Sequence, residues 1–406
     1  MFLKLLYIIK KMEGNNTESD DDSSCTYVSN FENMNLNKNI LRGIFSYGYE
    51  NPSPIQIKAI PLFLKGTDII AQAQSGTGKT AAFSISVLQQ IDENIKTLQA
   101  VIISPTRELS EQIYNVIKQL AHYTKIQFAL LVGGNSRKHQ INILKQGVHI
   151  IIATPGRLND FLSNQYIDVD NIKYLILDEA DELINNNFVM QIRNILEYIP
   201  ETTQIGLFSA TLSKECLDIT KNFLHSPKII SVKKEQLTLD GIKQYFITTY
   251  NDKWKYDAIS DLYSSMIINQ LIIYCNTKQR VIYLTNTLQM DGHSCSCIHS
   301  DLSTEDRLYT LQQFRKGNSR VLISTDLLAR GIDIQQVSLV VNYDVPTKRE
   351  NYIHRIGRSG RYGRKGIALN FITEADVNLI RNIEKYYETE INEFPENVND
   401  IFNNYQ

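Results

Sequence analysis

The sequence predicts an α/β protein of two units in series, each a mostly parallel sheet flanked by helices, and three observations predict it. The chain has 406 residues, more than one ordinary domain of about 100 to 200 residues holds. From Ile69 onward, short apolar runs alternate with longer helical patterns, which is how a parallel sheet wrapped by helices reads in sequence. The alternation lapses once, in the polar stretch Lys233 to Gly241, and then restarts. The composition, 43% apolar and 21% charged, is that of a soluble globular chain, and no run approaches the eighteen or so consecutive apolar residues of a bilayer span.

Before the first strand, Met1 to Lys11 is the one stretch that imitates a targeting signal. Its apolar part, Phe2 to Ile9, is short, contains Lys4 and is followed by no small-residue cleavage site, so secretion is not expected. Translation from Met12 is the simpler expectation, and the polar, acidic run after it makes residues 1–30 a disordered extension. The first unit, 31–232, takes strands at Ile69–Ala71, Ala100–Ser104, Gln127–Val132, Val148–Ala153, Tyr174–Leu177 and Gln204–Ser209, each followed by a helical pattern. A linker occupies 233–243. The second unit, 244–406, takes strands at Leu271–Tyr274, Cys295–Ile298, Val321–Ser324, Leu339–Asn342 and Ile367–Phe371. Five scattered cysteines, Cys25, Cys216, Cys275, Cys295 and Cys297, make no disulfide framework and fit a reducing intracellular compartment, nucleus or cytoplasm.

The strongest local signal is Ala73-Gln74-Ser75-Gly76-Thr77-Gly78-Lys79-Thr80, directly after a strand and before the helical run Ala81 to Gln90. Glycines let backbone N–H groups wrap phosphate oxygens, the helix N-terminus adds its dipole, Lys79 neutralises the outer phosphates, and Thr80 is placed to hold Mg²⁺. Ala73 stands where the general pattern has Gly. At the carboxyl end of Tyr174–Leu177 comes Asp178-Glu179-Ala180-Asp181, and parallel sheets bind ligands at that end. Asp178 would hold the Mg²⁺ through water, and Glu179 would orient and deprotonate an attacking water. A guanine-selecting Asn-Lys-x-Asp segment is absent, which points to adenine and so to ATP.

At these residues the chain resembles the DEAD-box RNA helicases, from about Phe31 to Phe402. The family's motifs occur in order: Gly48 to Gln56 with Phe31 as a distant aromatic, Pro105-Thr106-Arg107-Glu108-Leu109, Gly133-Gly134, Thr154-Pro155-Gly156-Arg157 and Ser209-Ala210-Thr211. Tyr274-Cys275-Asn276-Thr277, Ser324-Thr325-Asp326, Ala329 to Asp333 and His354 to Arg361 follow. The resemblance implies two tandem RecA-like domains and RNA-stimulated ATP hydrolysis. It implies that Tyr49 stacks on adenine and Gln56 pairs with its Hoogsteen edge, that Asp333 binds the ribose, and that Arg358 and Arg361 are arginine fingers. It makes Ser209, Thr211 and His354 the residues coupling hydrolysis to closure. RNA would be gripped through its backbone and 2′-hydroxyls by Thr106, Arg107, Gly134, Thr154 and Arg157, and by Asn276, Thr277, Arg307, Arg320 and Thr325. Two positions depart from the family pattern, Thr304 where Gln is usual and Ser110 where Ala is usual.

Within the family the chain is similar to the initiation factor 4A branch. The stretches Leu237 to Gln244, Arg358 to Gly366 and Ile383 to Ile391 lean to its exon-junction side, with translation initiation and ribosome biogenesis as the other readings. Protein regulators of domain closure and a monomeric chain are expected, and an ATP-gated RNA clamp stands beside an unwinding enzyme as an alternative. His293, Cys295, Cys297 and His299 alternate like metal ligands, but along one strand they stretch over roughly 20 Å and do not converge on a zinc ion.

The charge balance, 42 Lys and Arg against 44 Asp and Glu, at first argues against nucleic acid. Residues 1–30 hold three basic and five acidic side chains, however, and so account for the whole net charge of -2. Lys348 to Gly366 concentrates Lys348, Arg349, Arg355, Arg358, Arg361, Arg364 and Lys365 against Glu350 alone. RNA affinity is therefore expected to depend on closure more than on bulk charge.

Overall fold

The computed structural model describes residues 30–73, 76–184, 188–212, 214–231, 242–265, 270–328, 337–359 and 366–395. The acidic extension up to residue 29 and the linker up to Gly241 lie outside the described residues. Among the described residues the chain forms two seven-stranded sheets in which every pairing is parallel. The first contains β1 (Ile69–Gln72), β2 (Ala100–Ile103), β3 (Phe128–Leu131), β4 (Ile150–Ala153), β5 (Tyr174–Asp178), β6 (Gln204–Ser209) and β7 (Lys228–Ser231), in the order β3-β4-β2-β5-β6-β1-β7. The second contains β8 (Ile242–Thr248), β9 (Leu271–Tyr274), β10 (Cys295–Ile298), β11 (Val321–Ser324), β12 (Leu339–Asn342), β13 (Gly366–Ile372) and β14 (Asn392–Glu393), in the order β10-β11-β9-β12-β13-β8-β14. Counted from the first strand of each unit, the two orders are the same permutation, so one topology is used twice.

Strands β2 and β4 are buried at all four positions because helices cover both faces of the sheet, which is why they read as unbroken apolar runs. Alternate residues still separate: Ile69, Ala71, Ile102 and Ile176 join the core on one face, and Ile70, Val101, Leu175 and Leu207 the core on the other. Strands β7, β8 and β14 were not predicted. Ile229 of β7 is exposed, β14 has two residues, and β8 mixes buried with half-exposed positions, so none presents a continuous apolar run. Ile242 and Lys243, assigned to the linker by their sequence, form the first rungs of β8 against Gly366 and Ile367.

Strand order decides which motifs meet. Strands β5, β6 and β1 are neighbours, in register Asp178 to Phe208 and Gln72 to Ser209, so their carboxyl ends place the acidic pair, Ser209 to Thr211 and the phosphate loop side by side. Strands β3, β4 and β2 lead into Gly133, Thr154 and Thr106 on the other half of the same edge.

The helix Lys38–Ser46, which ends at Tyr47, crosses the C-terminal end of the helix Arg107–Leu120 at Gly43. A Cβ on Gly43 would sit 1.9 Å from the backbone oxygen of Leu120, a contact no rotamer change relieves. Gly43→Ala is predicted to destabilise the first unit by about 1–3 kcal/mol in urea unfolding and to shift Tyr47, at the end of its helix.

Candidate functional site

The phosphate loop runs into the helix Lys79–Gln90 through Gly78, at φ 98°, a left-handed conformation that glycine adopts without strain. Side-chain space at Gly78 is absent as well, since a Cβ there would lie 2.5 Å from Nε2 of Gln56. Gln56 closes a capping box at the start of the helix Pro54–Leu64, its Oε1 accepting from Ser53 N at 2.8 Å, while its Nε2 donates to Gly78 O at 3.2 Å. The residue expected to read adenine is thus clamped to the phosphate loop. A primary amide has a second N–H and a second lone pair, and a base edge would take those. Tyr49 stacks on Tyr47 with centroids 4.7 Å apart and planes 27° apart. Phe31 is buried in the core and supports this corner. Lys79 is buried and its Nζ donates to Ala73 O at 2.8 Å. Gln74 and Ser75 lie outside the described residues.

Tyr47, Tyr49, Gly76, Gly78, Lys79, Thr80, Asp178 and Glu179 line a pocket of about 150 Å³ together with Arg358, which follows the helix Arg349–Ile356 of the second unit. Asp178 and Glu179 are buried at its base. Burial, and then the charge of Glu179, push the Asp178 carboxyl up to about 7, against the pull of Lys79. A buried Asp178 carboxyl whose ionised form is penalised by burial, in one pocket with the Thr80 hydroxyl, fits a divalent cation, whose charge reverses that penalty. Glu179 holds φ 51°, ψ 53°, a left-handed conformation uncommon outside glycine, which turns the chain from β5 into the helix Ala180–Leu183. Its Oε2 is buried and takes no hydrogen bond among the described residues. The Arg358 guanidinium is buried too; burial lowers its pKa, and the charges of Tyr274 and Glu179 oppose that shift.

Asp181 ties the two sheets together, a role its sequence position alone did not reveal. Ser209 Oγ donates to its Oδ1 at 2.5 Å, Thr211 Oγ1 donates to its Oδ2 at 2.8 Å, and Nε2 of the fully buried His354 lies 3.5 Å from Oδ2. The three residues predicted to couple hydrolysis with closure therefore converge on one carboxylate. The signal available in the sequence was the fourth place in Asp178-Glu179-Ala180-Asp181.

Arg107, Thr154 and Arg157 line one groove of about 440 Å³ with Gly133, and the exposed Gly134 follows directly. Thr106, Thr154 and Thr277 are each the N-cap of a helix; the hydroxyls of Thr106 and Thr277 accept from Leu109 N and Arg280 N, both at 3.3 Å. The helices capped by Thr106 and Thr154 begin at this groove, a device for binding phosphate without lysines. In the second unit Asn276 and Thr325 follow the neighbouring strands β9 and β11. Asn276 is held at both ends of its amide, Nδ2 donating to Val345 O at 2.9 Å and Oδ1 accepting from Arg355 at 2.7 Å. Arg307 reaches the first unit, where its Nη1 lies 2.7 Å from Oε1 of Glu108, both side chains nearly buried. Arg320 immediately precedes β11 and so sits at the opposite end of that strand from Thr325, away from the loops that carry Asn276, Thr277 and Thr325. Asp333 and Arg361 lie outside the described residues.

A DEAD/DEAH box helicase model matches residues 53–219 and a Helicase conserved C-terminal domain model matches 254–363. The chain is 49% identical over 393 residues to "ATP-dependent RNA helicase eIF4A" of Meyerozyma guilliermondii, covering 97% of this chain and 98% of that protein. It is 48% identical over 396 residues to "ATP-dependent RNA helicase fal1" of Aspergillus oryzae, covering 98% and 100%. Among solved structures, S. cerevisiae Dbp5 bound to RNA and ADP BeF3 superposes with a TM-score of 0.87 at 35% identity, covering 93% of this chain and 98% of that one. A Dbp5 variant bound to nup159, gle1, ip6 and adp gives 0.64 at 34% identity, covering 90% and 97%.

Proposed function

The chain belongs to the DEAD-box family of ATP-dependent RNA helicases, among its initiation factor 4A-like members, and on that premise we propose which of its residues carry the activity. Glu179 orients the attacking water and takes its proton. The observation that carries this reading is the buried Oε2 of Glu179, without a hydrogen-bond partner among the described residues, in the pocket that the phosphate loop and Arg358 also line. Lys79 and the loop N–H groups from Ala73 to Thr80 hold the phosphates, Tyr49 and Gln56 hold the adenine, and Asp333 holds the ribose. Arg358 and Arg361 bring positive charge to the γ-phosphate from the second domain. Mg²⁺, held by Asp178 and Thr80, supplies charge neutralisation at the outer phosphates when bound. The two sheets are the cores of the two domains.

RNA runs over Thr106, Arg107, Gly134, Thr154 and Arg157 in one domain and Asn276, Thr277, Arg307 and Thr325 in the other. Each ligand alone meets half a site, so ATP and RNA tighten each other by the same factor, about 5- to 150-fold for coupling of ordinary size. The test is ATP hydrolysis by the purified chain as RNA is added. The rate is expected to rise and saturate with single-stranded RNA of any sequence and to stay near its starting value with DNA. An equal response to DNA, or none to RNA, would overturn the reading.

For the pathway, the three stretches similar to the exon-junction branch support a place there. The eIF4A and fal1 relatives match at 49% and 48% identity, so their names do not separate the pathways. Protein regulators of closure belong to the same proposal, supported by solved complexes of Dbp5 with gle1 and nup159. An intracellular location, nucleus or cytoplasm, follows from that pathway reading.

A further inference from the structure

Arg355 lies between His354 and Arg358 in sequence, on the helix Arg349–Ile356, yet its side chain turns into the second domain and is wholly buried. Its Nε donates to Asp326 Oδ1 at 2.5 Å, its Nη1 to Asp344 O at 2.7 Å and Asn342 Oδ1 at 3.3 Å, and its Nη2 to Asn276 Oδ1 at 2.7 Å. The guanidinium also lies 5.3 Å from the centroid of the Tyr274 ring. A second bond runs between the same helix and the same loop, from Asn351 Nδ2 to Asp326 Oδ2 at 2.8 Å. Asn276 and Asp326 stand in the loops that follow β9 and β11, beside Thr277 and Thr325. A buried guanidinium is tolerated only when it is well paired, and here its partners are the loops assigned to RNA.

We propose that Arg355 is the positioning residue that carries RNA occupancy of the second domain to the ATP cleft, because it joins the loops after β9 and β11 to the helix presenting His354 and Arg358. The inference rests on the reading that Asn276, Thr277 and Thr325 face RNA. Phosphates that fix those loops fix the acceptors of the guanidinium, and the planar fork transmits their position to the helix as a rigid body. A lysine would supply the charge without the fork.

The test compares Arg355→Lys and Asp326→Asn with the unaltered chain. Two quantities are read: the poly(U) concentration giving half-maximal stimulation of ATP hydrolysis, and the affinity for a fluorescent ADP analogue without RNA. The half-saturating RNA concentration is expected to rise roughly tenfold for Arg355→Lys and several-fold for Asp326→Asn, with nucleotide affinity held within about twofold. In an Asn276→Ala background, Arg355→Lys should add less than about twofold to the RNA term, since it acts through that residue. Nucleotide affinity falling by the same factor as RNA response, or an unmoved half-saturation point, would overturn the proposal. Should Arg355→Lys fail to fold by circular dichroism, Asp326→Asn, at a partly exposed side chain, decides alone. An unaltered chain that RNA does not stimulate overturns the RNA reading and the inference with it. An unaltered chain that RNA stimulates, with variants that respond alike, overturns the inference only.

Discussion

Replacing Glu179 with Gln is expected to stop turnover while leaving the assembly with ATP and RNA intact. ATP hydrolysis should fall by about 10²- to 10⁴-fold, the range a positioned general base contributes. Gln keeps the backbone strain at φ 51°, the side-chain length and one acceptor oxygen, so the turn out of β5 survives. The substitution removes the basic oxygen that takes the proton of water. It also removes one of two adjacent buried carboxylates, which relieves the second cause of the raised Asp178 pKa and leaves the cation and phosphate groups at least as well held. Labelled RNA bound with ATP should then dissociate slowly when chased with unlabelled RNA, whereas in the unaltered chain release follows hydrolysis. Fluorescence anisotropy after the chase gives the rate, and prompt release from the Glu179→Gln protein would contradict the role given to that carboxylate.

The contrast between what the sequence discloses and what it withholds follows from the range over which each feature is determined. Interior strands such as β2, β4, β9 and β12 are buried on both faces, so the requirement for apolar residues falls on every position and is legible locally. Edge and half-covered strands such as β7 and β14 carry no such requirement. The phosphate loop and the acidic pair are legible because their chemistry is set by neighbours within a few residues. Side-chain partners are another matter. That Gln56 would be fastened to Gly78, that Arg307 would meet Glu108 in the other domain, and that Asn276 would be held by Arg355 depend on strand order and on how the two sheets face each other. Arg320 shows the same limit from the other side: it is close to Thr325 in sequence, but a strand of four residues separates them in space. Asp181 is the sharpest case, a residue inside a legible motif whose role appears only when β6 and the helix Arg349–Ile356 are both placed around it.

The setting of the two domains gives Arg358 its importance. Cleft-crossing contacts, Arg307 with Glu108 and His354 with Asp181, hold the domains so that Arg358 enters the pocket of Lys79 and Glu179. Burial of the guanidinium there lowers its pKa, and the field of Glu179 opposes that shift. The benefit to catalysis comes when negative charge develops on the transferring phosphoryl group, because a pre-placed fork needs no reorganisation at that moment. Arg358→Lys retains a positive charge but replaces a rigid planar donor set with a strongly hydrated ammonium, whose transfer into the same buried position is harder. The expected outcome is a loss of RNA-stimulated ATP hydrolysis of about 10³- to 10⁵-fold, the range attributed to such a residue. Affinity for ATP without RNA should change far less, since the first domain supplies most of that contact. Single-turnover hydrolysis at saturating RNA separates the two quantities. A variant that binds ATP tenfold more weakly yet turns over at the normal rate once saturated would show that Arg358 holds the nucleotide instead of stabilising the transition state, and the charge developing in the cleft would need another partner.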